Sequence, residues 1–198
     1  FFPYWFTADL KNRNFGIKSW PPEEAGGMKV TGFSIKASSA PTVTKEILGK
    51  VFTMIATGDD EESIYEVVRP LIKHAYKGGL TISDVSSYGS LSKELSEYHP
   101  SHTPNTAKAA MYSNQYNGTD FGKRDSIKWV FVDDVPEGQP YCNVIAYDDV
   151  EELEGYSIDW GTVVRKWVHD KLKSVYKTLN WNLVGLTEQR VPKRFWGY

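Results

Sequence analysis

The residues best equipped for chemistry in this chain lie in 32–48, GFSIKASSAPTVTKEIL. Ser38-Ser39-x-Pro41 runs into an apolar-periodic segment that carries Lys45. Hydroxyls, unpaired backbone N–H groups and one cation then meet at a helix start, a set that suits a phosphate. The same residues also suit a plain helix cap, with Ser39 as the capping residue and Pro41 in the first turn.

Other groups carry weaker chemistry. Lys11, Arg13 and Lys18 interleave with Asn12, Asn14 and Phe15. Cations beside an aromatic fit a nucleic-acid backbone, and they fit a solvated turn as well. Residues 83–93, SDVSSYGSLSK, bring Ser86, Ser87, Tyr88 and Lys93 into one stretch. Hydroxyls and backbone N–H groups position a duplex through its phosphates without reading bases; a simple loop is the alternative. Lys166, His169, Lys173 and Lys177 form a charged stripe opposite an apolar one, which is how the wet face of a helix reads. His99 and His102 lack the further ligands that a zinc site needs. Asp133, Asp134, Asp148 and Asp149 could hold two Mg²⁺ for phosphoryl transfer, although Pro136, Gly138 and Pro140 between them favour an acidic turn. There is no Walker or dinucleotide glycine loop. The last sharp feature is Gln189-x-x-Pro192-x-x-Phe195-Trp196. Its spacing is that of a peptide docking into a sliding clamp, with Pro192 where an aliphatic residue is usual. Aromatics folding back on their own domain would give the same pattern.

The chain has 198 residues, 40% hydrophobic and 24% charged, with a net charge of −2. That is enough for a sizeable core, and any nucleic-acid contact must come from local clustering of cations. The single Cys142 excludes an internal disulfide and a Cys-based zinc site, and fits a reducing, cytoplasmic setting. No apolar run is long enough for a membrane span. The start, Phe1-Phe2-Pro3 without Met, reads as a piece of something longer or as a processed product.

The elements that must position these residues follow from periodicity. Residues 1–20 alternate loosely, and 28–37 read as a strand. Val43, Ile47, Val51 and Ile55, with Leu48 and Phe52, predict a helix ended by Gly58. Asp59 and Glu62 form a capping pair for a second helix, with a stripe of Ile64, Val67, Val68, Leu71 and Ile72. Pro70 should kink that helix and Gly78-Gly79 should close it. Residues 81–95 show little periodicity; 106–115 read as a short helix, and 127–132 and 142–147 as strands. Ser157 or Asp159 should cap a long last helix with the face Trp160, Val163, Val164, Trp167, Leu172, Val175 and Leu179. Residues 183–198 read as a tail.

Taken in order, these segments resemble the C-terminal part of a family-B DNA polymerase, with most similarity to the T4-like phage branch. Asn12-Arg13-Asn14-Phe15 resembles the Lys-Lys-x-Tyr motif at the end of the palm. Phe15 lacks the Tyr hydroxyl and Asn12 replaces a Lys. Gly32-Phe33 with Ser38-Ser39-x-Pro41 resembles the palm-to-thumb crossing. Residues 82–87 with Lys93 resemble the thumb loop along the duplex, and Pro104, Lys108 and Asn114 the next basic helix. The resemblance implies an α+β fold: a short β palm end over 1–33, then a mainly helical thumb over 34–185 with a small β portion and a long C-terminal helix. A tail over 186–198 would bind a sliding clamp through Gln189, Phe195 and Trp196.

It also implies duplex contacts from Asn12, Arg13, Phe15, Ser38, Ser39, Lys45, Ser86, Ser87, Tyr88, Lys93, Lys108 and Asn114. The family's catalytic aspartates belong to an Asp-x-x-Ser-Leu-Tyr-Pro and an Asp-Thr-Asp segment, and neither occurs here. The chain is therefore expected to need a catalytic partner portion that brings those aspartates and Mg²⁺, while holding no cofactor or metal itself. Its partners would be primer–template DNA, that portion and the clamp, with no membrane. Two other readings stay open: a metal-dependent nuclease built on the four aspartates, and a non-enzymatic clamp- or DNA-binding adaptor.

Overall fold

The computed structural model describes residues 2–8, 12–33, 35, 37, 39–133 and 143–182. Packing divides them into two units. The first is built from described residues of Phe1–Lys36, Thr44–Gly79 and Val164–Tyr198, the second from those of Ala37–Val43 and Leu80–Val163. Helices that follow the first sheet in sequence share its unit. The fold is α+β, with two three-stranded antiparallel sheets and helices around each.

In the first unit, β1 (Trp5–Thr7), β2 (Asn14–Ile17) and β3 (Met28–Thr31) form a meander. The register places Phe6, Phe15 and Val30 side by side. Alternation then sends this row to one face and Trp5, Gly16 and Lys29 to the other. The inner row meets α1 (Thr42–Thr57), where Ile47, Leu48, Val51 and Phe52 are buried. Phe15 stacks on Phe52 at 4.3 Å and on Phe6 at 4.7 Å, with Phe33 at its edge at 6.0 Å. Such ring pairs each contribute about 0.5–1.5 kcal/mol beyond the area they bury. The strand expected over 28–37 stops at Thr31 because Gly32 turns the chain at φ +73°. A Cβ there would lie 1.9 Å from the Asn12 carbonyl oxygen, so only glycine fits.

Helix α2 (Glu61–Tyr76) buries Ile64, Val68, Ile72 and Ala75 and continues through Pro70. Its cap is Asp60, whose carboxylate accepts the Ser63 N–H at 2.8 Å. The expected cap, Asp59, instead accepts the Thr57 hydroxyl at 2.6 Å. After α5 (Trp160–Val164) the last helix passes through a π-helical turn, Arg165–His169, into α6 (Asp170–Leu179). The wider π turn shifts the apolar face. Val164, Val168, Leu172, Val175 and Tyr176 are buried, whereas Trp160, Trp167 and Leu179 are half-exposed. A strict 3.6-residue period misses this shift.

In the second unit, β4 (Ser87–Ser90), β5 (Ser126–Phe131) and β6 (Val144–Tyr147) form the other sheet. Capped α3 (Ile82–Val85) leads into it: the Thr81 N–H reaches the Asp84 carboxylate at 2.9 Å, and the Thr81 hydroxyl oxygen accepts the Asp84 N–H at 3.3 Å. Helix α4 (Asn105–Tyr116) packs closely because its inward residues are small, Ala107, Ala109 and Ala110. At Gly89 a Cβ would come 2.4 Å from the Thr106 hydroxyl, so α4 covers the face shared by Gly89, Ser87 and Trp129. Buried Ser113 closes the free edge of β6, donating to the Ala146 carbonyl at 2.7 Å and accepting its N–H at 3.1 Å. Asp159 caps α5 by accepting the Thr162 N–H at 2.7 Å.

Candidate nucleic-acid interface

The exposed face of the second sheet carries what a phosphate backbone needs. Tyr88 pairs across the strands with Lys128, and Ser90 with Ser126. Lys128 is exposed; its ammonium lies 5.9 Å from the Tyr147 ring centroid and 3.4 Å from the Asp148 carbonyl. Tyr147 forms the floor beneath it. Its hydroxyl shares a 2.7 Å hydrogen bond with Ser86, and burial pushes its pKa up. Beside this row, the Ser39 carbonyl accepts the Tyr88 N–H at 3.2 Å, which ties Ser39 to β4.

One end of the β4–β5 pair adds further cations. The Arg124 N–H donates to the Leu91 carbonyl at 2.8 Å, and the Leu91 N–H to the Asp125 carbonyl at 3.1 Å. This places Lys123 and Arg124 next to the segment that carries Lys93, and all three are exposed. Lys93, Lys123 and Arg124 thus lie near the Ser90–Ser126 end of the sheet, and exposed Lys128 stands further along β5. Sequence reading missed Lys123, Arg124 and Lys128. The available signal was an adjacent Lys-Arg pair followed by Ser126, Ile127, Lys128 and Trp129, whose alternation puts serine and lysine on one face.

Several expected contacts are corrected. Phe15 is 0% exposed and belongs to the aromatic core, so its ring cannot lie against DNA. Ser86 is buried and spends its hydroxyl on the Ile82 carbonyl and Tyr147. Ser87 is also buried, on the face that α4 covers. Asn114 is a loop clamp: its amide donates to the Phe121 carbonyl at 2.9 Å and accepts the Phe121 N–H at 2.8 Å and the Thr119 hydroxyl at 2.9 Å. Ser39 was expected to cap α1, but that helix begins at Thr42, beyond Pro41.

The remaining expected residues are placed as follows. Asn12 is exposed before β2. Arg13 is half-buried, donates to the Ser174 hydroxyl at 3.4 Å and lies 6.0 Å from the Phe33 ring centroid. Lys45 is half-buried near the start of α1, and Lys108 is half-buried on α4. Lys18 is paired with Glu24, whose carboxyl it holds below the usual range. Ser38, Lys11 and the clamp residues Gln189, Phe195 and Trp196 lie outside the described residues.

The described aspartates, Asp133, Asp148 and Asp149, do not gather into a metal site. The Asp149 N–H donates to the Glu152 carboxylate at 3.2 Å, and the Asp133 N–H donates to the Ser157 carbonyl at 2.7 Å. Asp134 lies outside the described residues. Among the described residues, no three His, Cys, Asp or Glu side chains form a metal-holding group. His99 and His102 both contact the Ser101 hydroxyl, at 2.8 and 2.6 Å. No described helix is long and apolar enough to cross a membrane.

The fold is of the α+β class, with exposed cations and hydroxyls on the second sheet. No protein-family model matches the sequence, and no curated protein matches it. In structure, the chain is similar to the family B DNA polymerase from the hyperthermophilic archaeon Pyrobaculum calidifontis. The TM-score is 0.63 at 18% sequence identity, over 86% of this chain and 21% of that one. The chain thus has the fold of part of a family B DNA polymerase and spans about a fifth of that polymerase's length.

Proposed function

We propose that this chain is the duplex-gripping C-terminal part of a family-B DNA polymerase, comprising the palm end (1–33), the thumb (34–185) and a clamp-binding tail (186–198). The observation that carries the reading is the fold similarity over 86% of the chain. The exposed cations at the second sheet support it, because sequence-independent duplex binding needs exposed cations and hydroxyls rather than base-reading groups. On this reading the chain does no chemistry alone. A separate or missing portion supplies the palm aspartates and Mg²⁺. The T4-like affiliation rests on motif spacing and on the tail; the similar solved structure is archaeal.

The test is a fluorescence titration of primer–template with the purified chain at several salt concentrations, followed by synthesis assays with and without the catalytic portion. The reading expects duplex binding that weakens linearly in log salt with little sequence preference, and incorporation only when the catalytic portion is added. Absence of primer–template binding at low salt, both alone and with that portion, would sink it. Replacing Phe195 and Trp196 with Ala should abolish clamp-stimulated synthesis and leave distributive synthesis intact.

A further inference from the structure

The first unit contains a polar cavity of about 90 Å³ lined by Arg13, Gly32, Phe33, Asp170 and Lys171. Two half-buried cations, Arg13 and Lys171, face it from different elements. Neither forms an ion pair among the described residues. The one carboxylate present, Asp170, is engaged by Lys166 at 3.8 Å and by His169 at 3.4 Å. Arg13 is held in place by its bond to Ser174 and by the Phe33 ring. Lys171 lies 5.4 Å from the Trp167 ring centroid. That ring is half-exposed because the π turn buries Val168 in its stead.

Two partly desolvated cations around one cavity repel each other and have lost hydration. A single anion between them relieves both costs. The guanidinium fork matches a tetrahedral oxyanion through two parallel hydrogen bonds, and the ammonium adds a point charge. The cavity has room for a few waters or for one such group.

We propose that Arg13 and Lys171 form an oxyanion site that takes one phosphate group. The site stands on the cavity and its two cations and does not require the polymerase reading. The phosphate group has two sources, a nucleic-acid backbone or a free phosphate-bearing molecule, and the experiment separates them.

The ¹H–¹⁵N spectrum of the full chain is followed at Gly32 and at the Arg13 side chain. Inorganic phosphate is added at constant ionic strength. Saturable shifts are expected. Arg13→Gln and Lys171→Gln should each weaken them about tenfold, the loss of one charge-assisted hydrogen bond. Lys171→Arg should retain them, and Lys73→Gln on α2 should leave them unchanged. If Arg13→Gln unfolds the chain, Lys171→Gln carries the test, since its side chain is half-exposed and outside the core. No saturable shift in the parent chain, or shifts that survive Lys171→Gln, would overturn the site. A short blunt duplex forms the second arm. Duplex that moves Gly32 and is displaced by phosphate identifies the backbone as source. Phosphate saturation with Gly32 unmoved by duplex identifies a free ligand. Duplex binding without any phosphate response overturns this site and leaves the polymerase reading standing. Phosphate binding without duplex binding does the reverse.

Discussion

The two sheets each have three antiparallel strands in sequence order, yet they distribute their chemistry in opposite ways. The first turns Phe6 and Phe15 inward, with Phe15 between Phe6 and Phe52. The second is held on its covered side by small residues and by one buried hydroxyl, Ser113, and turns Tyr88 and Lys128 outward. The difference shows how a strand divides a motif. Arg13, Asn14 and Phe15 read as one cluster in sequence, but the strand begins at Asn14, so Phe15 is fixed by the sheet register while Arg13 lies just before it. The ring becomes core, and the cation is left at the margin of a cavity.

Four measurements would break or sharpen this contrast. The largest effect is expected at the aromatic core. Phe15→Ala should lower stability by about 3–5 kcal/mol in denaturant unfolding, as for other buried aromatics cut to alanine. A loss under 1 kcal/mol would remove the distinction between an aromatic-cored and a hydroxyl-clamped sheet.

Next is the clamp itself. Ser113→Ala leaves the Ala146 N–H and carbonyl unpaired in a buried place and should cost about 1–3 kcal/mol. Hydrogen exchange should quicken at Ala146 before it does elsewhere in the second sheet. Uniform loss of protection would mean that Ser113 does not act on the β6 edge in particular.

The outward face comes third. Lys128→Gln should leave thermal unfolding unchanged and reduce the salt slope of duplex binding by about 0.9, one phosphate contact. Lys93→Gln and Arg124→Gln should behave alike. An unchanged slope in all three would place the duplex elsewhere.

The smallest effect concerns pH in the first unit. Hydrogen bonds from Ser63, side chain first and then backbone, hold the Asp60 carboxyl below the usual carboxylate range. A group with a depressed folded-state pKa stabilises fully above its unfolded value, about 3.9 for Asp, and that contribution is lost as pH falls through the lower native value. Asp60→Asn keeps a cap without the titration. The parent chain should therefore lose more stability than the variant on acidification across that window. Parallel curves would mean that the cap carries no charge-linked stability.

Much of the scaffold was legible beforehand. The strands around Ile127 and Ile145, the helix around Tyr112, the end of α1 at Gly58 and the Asp159 cap all follow from periodicity and capping chemistry. The candidate interface was only partly legible. Tyr88 and Lys93 were identified, but Lys123, Arg124 and Lys128 were not, because they join that surface through strand pairing rather than through a local motif. Ser86, Ser87 and Asn114 looked available because hydroxyls and amides usually face water. Here Ser86 bonds the Ile82 carbonyl and Tyr147, Asn114 bonds Phe121 and Thr119, and Ser87 lies beneath α4.

The sequence by itself determined the α+β class and the positions of most elements, since these depend on near neighbours along the chain. Tertiary structure alone decided which face of each strand is wet, how the π turn rotates the last helix, and that Arg13 and Lys171 share one cavity. Those outcomes depend on register and on packing between residues far apart in the chain, and a one-residue change in register exchanges inside for outside.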